Sequence, residues 1–270
     1  MNSFNHTSGQ YFKIDDAEIY YEIFGDENKP VLLFLHGGLG NIEDFNNITS
    51  ALANKFRIMG IDCRGHGKST LGSKKLTYEL LQNDIEIILK HIKINNLSII
   101  GFSNGGIVAY RLAAFTKLKI NKLITIGAPW CTRHTDHLVE AYSKLTSDIW
   151  KGLCPLDFEV YHKLNPNPQF DELFKQAIRM ALDTSTAGRP NESVQNISCQ
   201  TFIVRGENDP IVSASDILEL TTLVKNSHLL NIPTAGHEAF KDQQEIFMTH
   251  LNNFLSHDLK TREAVSQREK

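Results

Sequence analysis

The stretch Leu97-Ser98-Ile99-Ile100-Gly101-Phe102-Ser103-Asn104-Gly105-Gly106 carries an apolar run directly into a G-x-S-x-G turn. Val108, Leu112 and Phe115 follow at the spacing of one helical face. Strand, sharp turn and helix form the context in which this serine motif has chemical meaning, because a nucleophilic hydroxyl must protrude from a tight turn. Gly101 and Gly105 leave room there for neighbouring backbone. Ser103 is therefore the candidate nucleophile. The plainer alternative, a serine that merely caps a helix, does not account for the glycines on both sides.

Outward from this turn, strand and helix patterns alternate. An early antiparallel ribbon is predicted over Tyr11 to Ile14 and Ala17 to Phe24, followed by the continuous apolar run Val31-Leu32-Leu33-Phe34-Leu35. Such a run suits a strand covered on both faces. A helix is predicted from Asn41 to Asn54, a strand over Phe56 to Ile61, and a helix from Thr77 to Ile92 whose Leu81, Ile85, Ile88 and Ile92 share a face. After the serine turn comes the strand Lys122 to Ile126. The alternation then stops until Thr201-Phe202-Ile203-Val204, a helix from about Ser213, the strand His228 to Ile232 and a closing helix from Glu238 to Leu255. Parallel neighbours need crossover connections, so the expected class is α/β, a mostly parallel sheet flanked by helices. The interval 130–195 reads as an inserted helical cap, its helices interrupted at Pro166-Asn167-Pro168. The expected core is therefore 1–129 with 196–258, and 259–270 is expected to be a polar tail.

Composition narrows the function. The 270 residues carry 41% hydrophobic side chains and a net charge of -3, enough for a large core and no basis for nucleic acid as a partner. No stretch approaches the roughly 20 apolar residues that cross a bilayer, and the N-terminus has no leader-like pattern. The expectation is a cytoplasmic protein without a membrane partner, with a homodimer as an open possibility. Cys63, Cys131, Cys154 and Cys199 stand singly, which points to packing residues and to neither zinc nor disulfides. Four Asn-x-Ser/Thr matches, beginning at Asn47, Asn96, Asn191 and Asn196, carry little weight without a secretion signal.

Two later stretches supply partners for the serine. Asp209 lies in Arg205-Gly206-Glu207-Asn208-Asp209-Pro210, just after a predicted strand, and His237 lies in Ala235-Gly236-His237-Glu238, just after the last one. Nucleophile, acid and base thus follow one another in chain order. With His36-Gly37-Gly38-Leu39-Gly40 and Asp62-Cys63-Arg64-Gly65-His66-Gly67-Lys68-Ser69 after earlier strands, the chain resembles the α/β-hydrolase superfamily from about Tyr11 to Leu255. The resemblance implies His237 as general base, Asp209 as the carboxylate that orients it, and the backbone N–H groups of Gly38 and Asn104 as the oxyanion hole. Some members place the acid one strand earlier, but Gly127-Ala128-Pro129 follows Ile126 here without a carboxylate. His36 and His66 are expected to shape their loops, Glu207 and Glu238 to be solvated or supporting, and His134 and His137 are candidates for a pocket wall.

The implied activity is that of a serine esterase, a carboxylesterase acting on a small-molecule ester without metal or organic cofactor. Enol-lactonases, carbon–carbon bond hydrolases, perhydrolases and proline iminopeptidases share the same triad and stay open as alternatives. The iminopeptidase reading is weakened by Leu39 and Asn104, where those enzymes typically carry proline and tryptophan. Serine at position 103 argues against haloalkane dehalogenases and epoxide hydrolases, which use aspartate. Some superfamily members act chiefly as ligand receptors, a different class of function. Substrate choice is expected in the cap, whose aromatic residues suit an apolar acyl or aryl group; Leu39, Trp130, Tyr142 and Trp150 are the candidate substrate-binding residues. Short-chain or aryl esters are expected to react faster than long-chain lipids.

Overall fold

The computed structural model describes residues 3–132 and 136–257. Eight strands form one sheet: β1 (Gln10–Ile14), β2 (Ala17–Phe24), β3 (Val31–Leu35), β4 (Arg57–Ile61), β5 (Asn96–Phe102), β6 (Lys119–Ile126), β7 (Gln200–Gly206) and β8 (Ser227–Ile232). Their spatial order is β1-β2-β4-β3-β5-β6-β7-β8, with β1, β2 and β4 paired antiparallel and β3 to β8 running parallel to β4. The helices are α1 (Asn46–Leu52), α2 (Tyr78–His91), α3 (Asn104–Phe115), α4 (Asp136–Lys144), α5 (Ser147–Leu153), α6 (Pro155–Leu164), α7 (Phe170–Ala181), α8 (Ala214–Leu223), α9 (Ala239–Asp242) and α10 (Gln244–Ser256).

The period-2 geometry of the strands divides their side chains between two cores. Leu33, Leu35, Ile99, Leu123 and Ile203 pack with α2, α3 and α8 on one face. Their strand neighbours Leu32, Phe34, Ile100, Ile124 and Phe202 pack with α1, α9 and α10 on the other. Both faces are therefore covered, which is why the strand sequences read as unbroken apolar runs.

Two predicted helices are each divided. The segment after Gly40 begins as a 3-10 turn, Ile42–Phe45, capped by Asn41, whose side chain accepts from Glu43 N–H at 2.9 Å while its own N–H donates to Asp44 at 3.1 Å. This capping box starts a tight turn, and α1 follows it. The closing helix is interrupted at Gln243, whose ψ of 59 breaks the helical path between α9 and α10.

The helices α4 to α7 cover the C-terminal edge of the sheet. Asn165 takes the extended conformation that a following proline favours, ending α6. Its side-chain amide then donates to the carbonyls of Gly67 and Ser69 at 3.0 and 2.8 Å, tying the end of α6 to the loop after β4. Arg111 on α3 donates to the carbonyls of Thr186 and Gly188 at 2.9 and 2.8 Å and secures the far end. No helix among the described residues is long and apolar enough to cross a membrane.

A buried ion pair fixes the loop after β4 to the helical layer. Arg64 donates through Nε and Nη2 to the two carboxylate oxygens of Asp84 on α2, each at 2.8 Å, with both side chains almost wholly buried. Removing one member leaves the other charge without its counter-ion, so Asp84→Ala is expected to destabilise the fold by about 3–5 kcal/mol. Urea unfolding of D84A checks this; the double variant R64M/D84A should recover part of the loss.

Candidate active site

The loops leaving β3, β5, β7 and β8 meet at the C-terminal edge of the parallel strands, where an open α/β sheet forms its crevice. Ser103 is the turn between β5 and α3. Its φ of 50 and ψ of -118 lie in a region that L-residues rarely occupy. The neighbouring glycines make the turn possible. A Cβ on Gly101 would stand 2.5 Å from the carbonyl oxygen of Gly105, and one on Gly105 would collide with the carbonyls of Leu35 and His36. The Ser103 N–H donates to Ile126 O at 2.9 Å, which pins the turn to β6.

The hydroxyl so raised lies 3.0 Å from Nε2 of His237. The other ring nitrogen, Nδ1, lies 3.0 Å from both carboxylate oxygens of Asp209. The Asp209 side chain is fully buried, and Oδ1 also accepts from the N–H groups of Ile211 and Val212 at 2.8 and 3.1 Å. Burial works to raise its pKa, but the hydrogen bond and charge of His237 with these two backbone donors hold it below the usual carboxylate value. Asp209 is thus an anion that requires a proton on Nδ1, leaving Nε2 free to accept one from Ser103.

Gly38 and Asn104 face the same space as Ser103. Asn104 opens α3, so its N–H is among the donors that a helix N-terminus leaves without an intrahelical carbonyl. The space is a cavity of about 550 Å³. Leu39, Tyr142 and Trp150 line it, together with Phe174, Ala177 and Ile178 from α7.

Trp130 does not belong to this wall, contrary to expectation. It is fully buried, and its indole N–H donates to Asp216 O at 2.9 Å. The residue follows β6 so closely that it remains in the packing layer beneath α8, where a buried indole needs a hydrogen-bond partner. His134 lies outside the described residues, and the side chain of His137 does as well.

The remaining histidines and acids of these loops have structural partners. His36 Nε2 accepts from Cys63 N–H at 2.9 Å while Nδ1 donates to Gly37 O at 2.7 Å, joining the loops after β3 and β4. Burial and the nearby His36 drive the pKa of His66 down to about 3. Glu207 accepts from Thr234 N–H at 2.9 Å, and Glu238, on the cavity wall, accepts from Lys241 at 2.6 Å. Sequence reasoning missed Tyr78, whose hydroxyl donates to Asn104 Oδ1 at 2.8 Å. Its only signal was a tyrosine at the first helical position after the capping Thr77, which does not point to a site.

Comparison with known proteins agrees with this architecture. A family model described as alpha/beta hydrolase fold matches residues 30–153. The chain is 32% identical over 271 residues to the sn-1-specific diacylglycerol lipase ABHD11 of Danio rerio, covering 88% of this chain and 83% of that protein. It is 25% identical over 264 residues to the AB hydrolase superfamily protein YisY of Bacillus subtilis, covering 88% and 95%. Among solved structures, the esterase EaEST from Exiguobacterium antarcticum superposes with a TM-score of 0.77 at 23% identity, covering 92% of this chain and 100% of that one. The strand order, the serine turn at the head of α3 and this extent of similarity lead to one conclusion: the chain belongs to the alpha/beta hydrolase superfamily.

Proposed function

We propose that the protein is a serine hydrolase that cleaves a small-molecule carboxylic ester through an acyl-enzyme. The observation that carries this reading is the unbroken contact from Ser103 Oγ through His237 to Asp209, on the wall of a cavity large enough for a small ester. In the first step His237 Nε2 takes the serine proton as Oγ attacks the ester carbonyl. The negative oxygen that forms is received by the N–H groups of Gly38 and Asn104, and the positive end of α3 favours it further. His237 then gives its proton to the leaving alcohol oxygen. Water, deprotonated by the same imidazole, attacks the acyl-enzyme and releases the acid and the free serine.

The similarity to a protein named as a diacylglycerol lipase supports an ester as the scissile bond. Leu39, Tyr142, Trp150 and Phe174 give the cavity an apolar and aromatic wall suited to an acyl or aryl group. A lactone is an internal ester and would pass through the same steps. The backbone strain at Ser103 fits this function, because the turn that raises the hydroxyl has no benefit for stability.

Turnover of p-nitrophenyl esters and labelling by a fluorophosphonate probe are both expected, and both should vanish in Ser103→Ala. A wild-type protein neither labelled nor active on esters, lactones or amides would point to ligand binding instead. Asp209→Asn should keep the geometry but lose the anion that sets the histidine tautomer, lowering kcat by about 10³–10⁴-fold with KM changed far less. Steady-state kinetics separates the two parameters. Glycine accepts the backbone conformation at 103, so Ser103→Gly is expected to be more stable than Ser103→Ala by about 1–2 kcal/mol, measured by chemical unfolding.

A further inference from the structure

Asn104 enters the proposed chemistry through its backbone, yet its side chain has a defined place of its own. The Tyr78 side chain is fully buried, and its hydroxyl lies 2.8 Å from Asn104 Oδ1. Burial raises this phenol above its ordinary value, so the hydroxyl stays protonated and needs an acceptor. Oδ1 of Asn104 fills that need, which fixes the orientation of the amide. With its oxygen turned to Tyr78, the amide presents Nδ2 to Gly38, so near that a Cβ built on Gly38 would stand 2.6 Å from it. Both residues line the cavity beside Ser103. A side-chain donor therefore flanks the point where the N–H groups of Gly38 and Asn104 would receive the substrate carbonyl.

We propose that Asn104 Nδ2 is a specificity-determining donor for an acceptor atom on the acyl group, an ether, hydroxyl or keto oxygen on the carbon next to the reactive carbonyl, and that Tyr78 positions it. This rests on the serine-hydrolase reading above. A plain alkyl acyl group bound there excludes water from Nδ2 and returns no hydrogen bond, whereas an oxygen at that carbon satisfies it. A site built to hydrogen-bond one group discriminates against the isostere that lacks it, because its own donor is then left unpaired. Tyr78 touches no substrate in this arrangement. It acts by holding the amide with its donor end toward Gly38.

The test compares p-nitrophenyl methoxyacetate with p-nitrophenyl butyrate, acyl chains of equal heavy-atom count that differ by an oxygen in place of a methylene. Each kcat/KM is divided by the rate of alkaline hydrolysis of the same ester, which removes intrinsic reactivity. The corrected ratio, and not either rate, is the readout. Wild type is expected to prefer the methoxyacetate. Asn104→Leu retains the backbone N–H and the side-chain shape, and should lower the corrected ratio about tenfold. Tyr78→Phe should shift it in the same direction by a smaller factor. Thermal melting and fluorophosphonate labelling identify variants that are folded with a reactive Ser103. A ratio unchanged in folded, labelled N104L and Y78F overturns the proposal and leaves the hydrolase reading intact, as does a wild type without the preference. If N104L does not fold, Y78F decides by the same criterion. A wild type that is neither labelled nor active overturns the serine-hydrolase reading, and this proposal with it.

Discussion

The site depends on how closely three pieces of backbone approach one another at the head of α3. Gly105 presses against the carbonyls of Leu35 and His36 at the end of β3, and Gly101 against the first turn of the helix that Gly105 belongs to. Only with hydrogen atoms in place of side chains can β5 end, reverse and enter α3 within so few residues. The left-handed φ of Ser103 is the local cost of that reversal, and the surrounding sheet over-determines it: β5 is paired on both sides, to β3 and β6, and the Ser103 N–H is itself held by Ile126. The same approach brings the loop after β3, with Gly37 and Gly38, against the serine. Parallel strands end on one edge, so the loops after β7 and β8 arrive there without any special device.

Electrostatics then assigns different work to chemically similar groups. Asp209 and His66 are both buried titratable side chains on loops at this edge, and burial opposes the charged form of each. Asp209 has an imidazole and two backbone N–H groups on its oxygens, which is enough to keep it ionised. For His66, burial and the neighbouring His36 outweigh the Arg64 carbonyl on Nδ1, which favours the charged form, so the ring stays neutral. Nδ1 of His66 holds the loop after β4, whereas His237 is the imidazole that lies within hydrogen-bond length of Ser103. Burial acts against charge on both, and the partners decide the outcome for each.

Much of this was legible in the chain itself, and the boundary of legibility has a physical cause. The sheet, its helices and the order of Ser103, Asp209 and His237 follow from short-range signals: apolar runs, helical spacing, and glycines at fixed distance from the serine. The break at Gln243 is set by a single ψ angle within an otherwise helical pattern, which periodicity over a longer window averages away. An aromatic residue such as Trp130, just after β6, has the same sequence appearance whether it turns into the packing layer or toward the cavity. Its position was decided by Asp216, 86 residues away, which offers a carbonyl to the indole. The contact of Tyr78 with Asn104 was hidden for the same reason, since it joins α2 and α3 across an intervening strand.

The helices α4 to α7 are joined to the rest of the fold in a different way from the loops that carry Ser103, Asp209 and His237. Ser103, His237 and Asp209 are held to within a hydrogen-bond length of one another, and close backbone packing supplies that precision. The segment from α6 onward has polar tethers at separate points, Asn165 to the loop after β4, Gln176 to Leu76 N–H at 2.7 Å, and Arg111 to the carbonyls of Thr186 and Gly188. These bonds act together with the burial of Tyr161, Phe170, Leu173 and Phe174 in the main hydrophobic cluster, and Tyr161 and Phe174 also line the cavity. Phe174, on the same helix as Gln176, faces the cavity and also packs in the main hydrophobic cluster against Trp150 and Phe170. Cavity shape is therefore coupled to the packing that holds α6 and α7 on the fold. A selectivity independent of those helices would have to come from a group beside Ser103, where Asn104 stands.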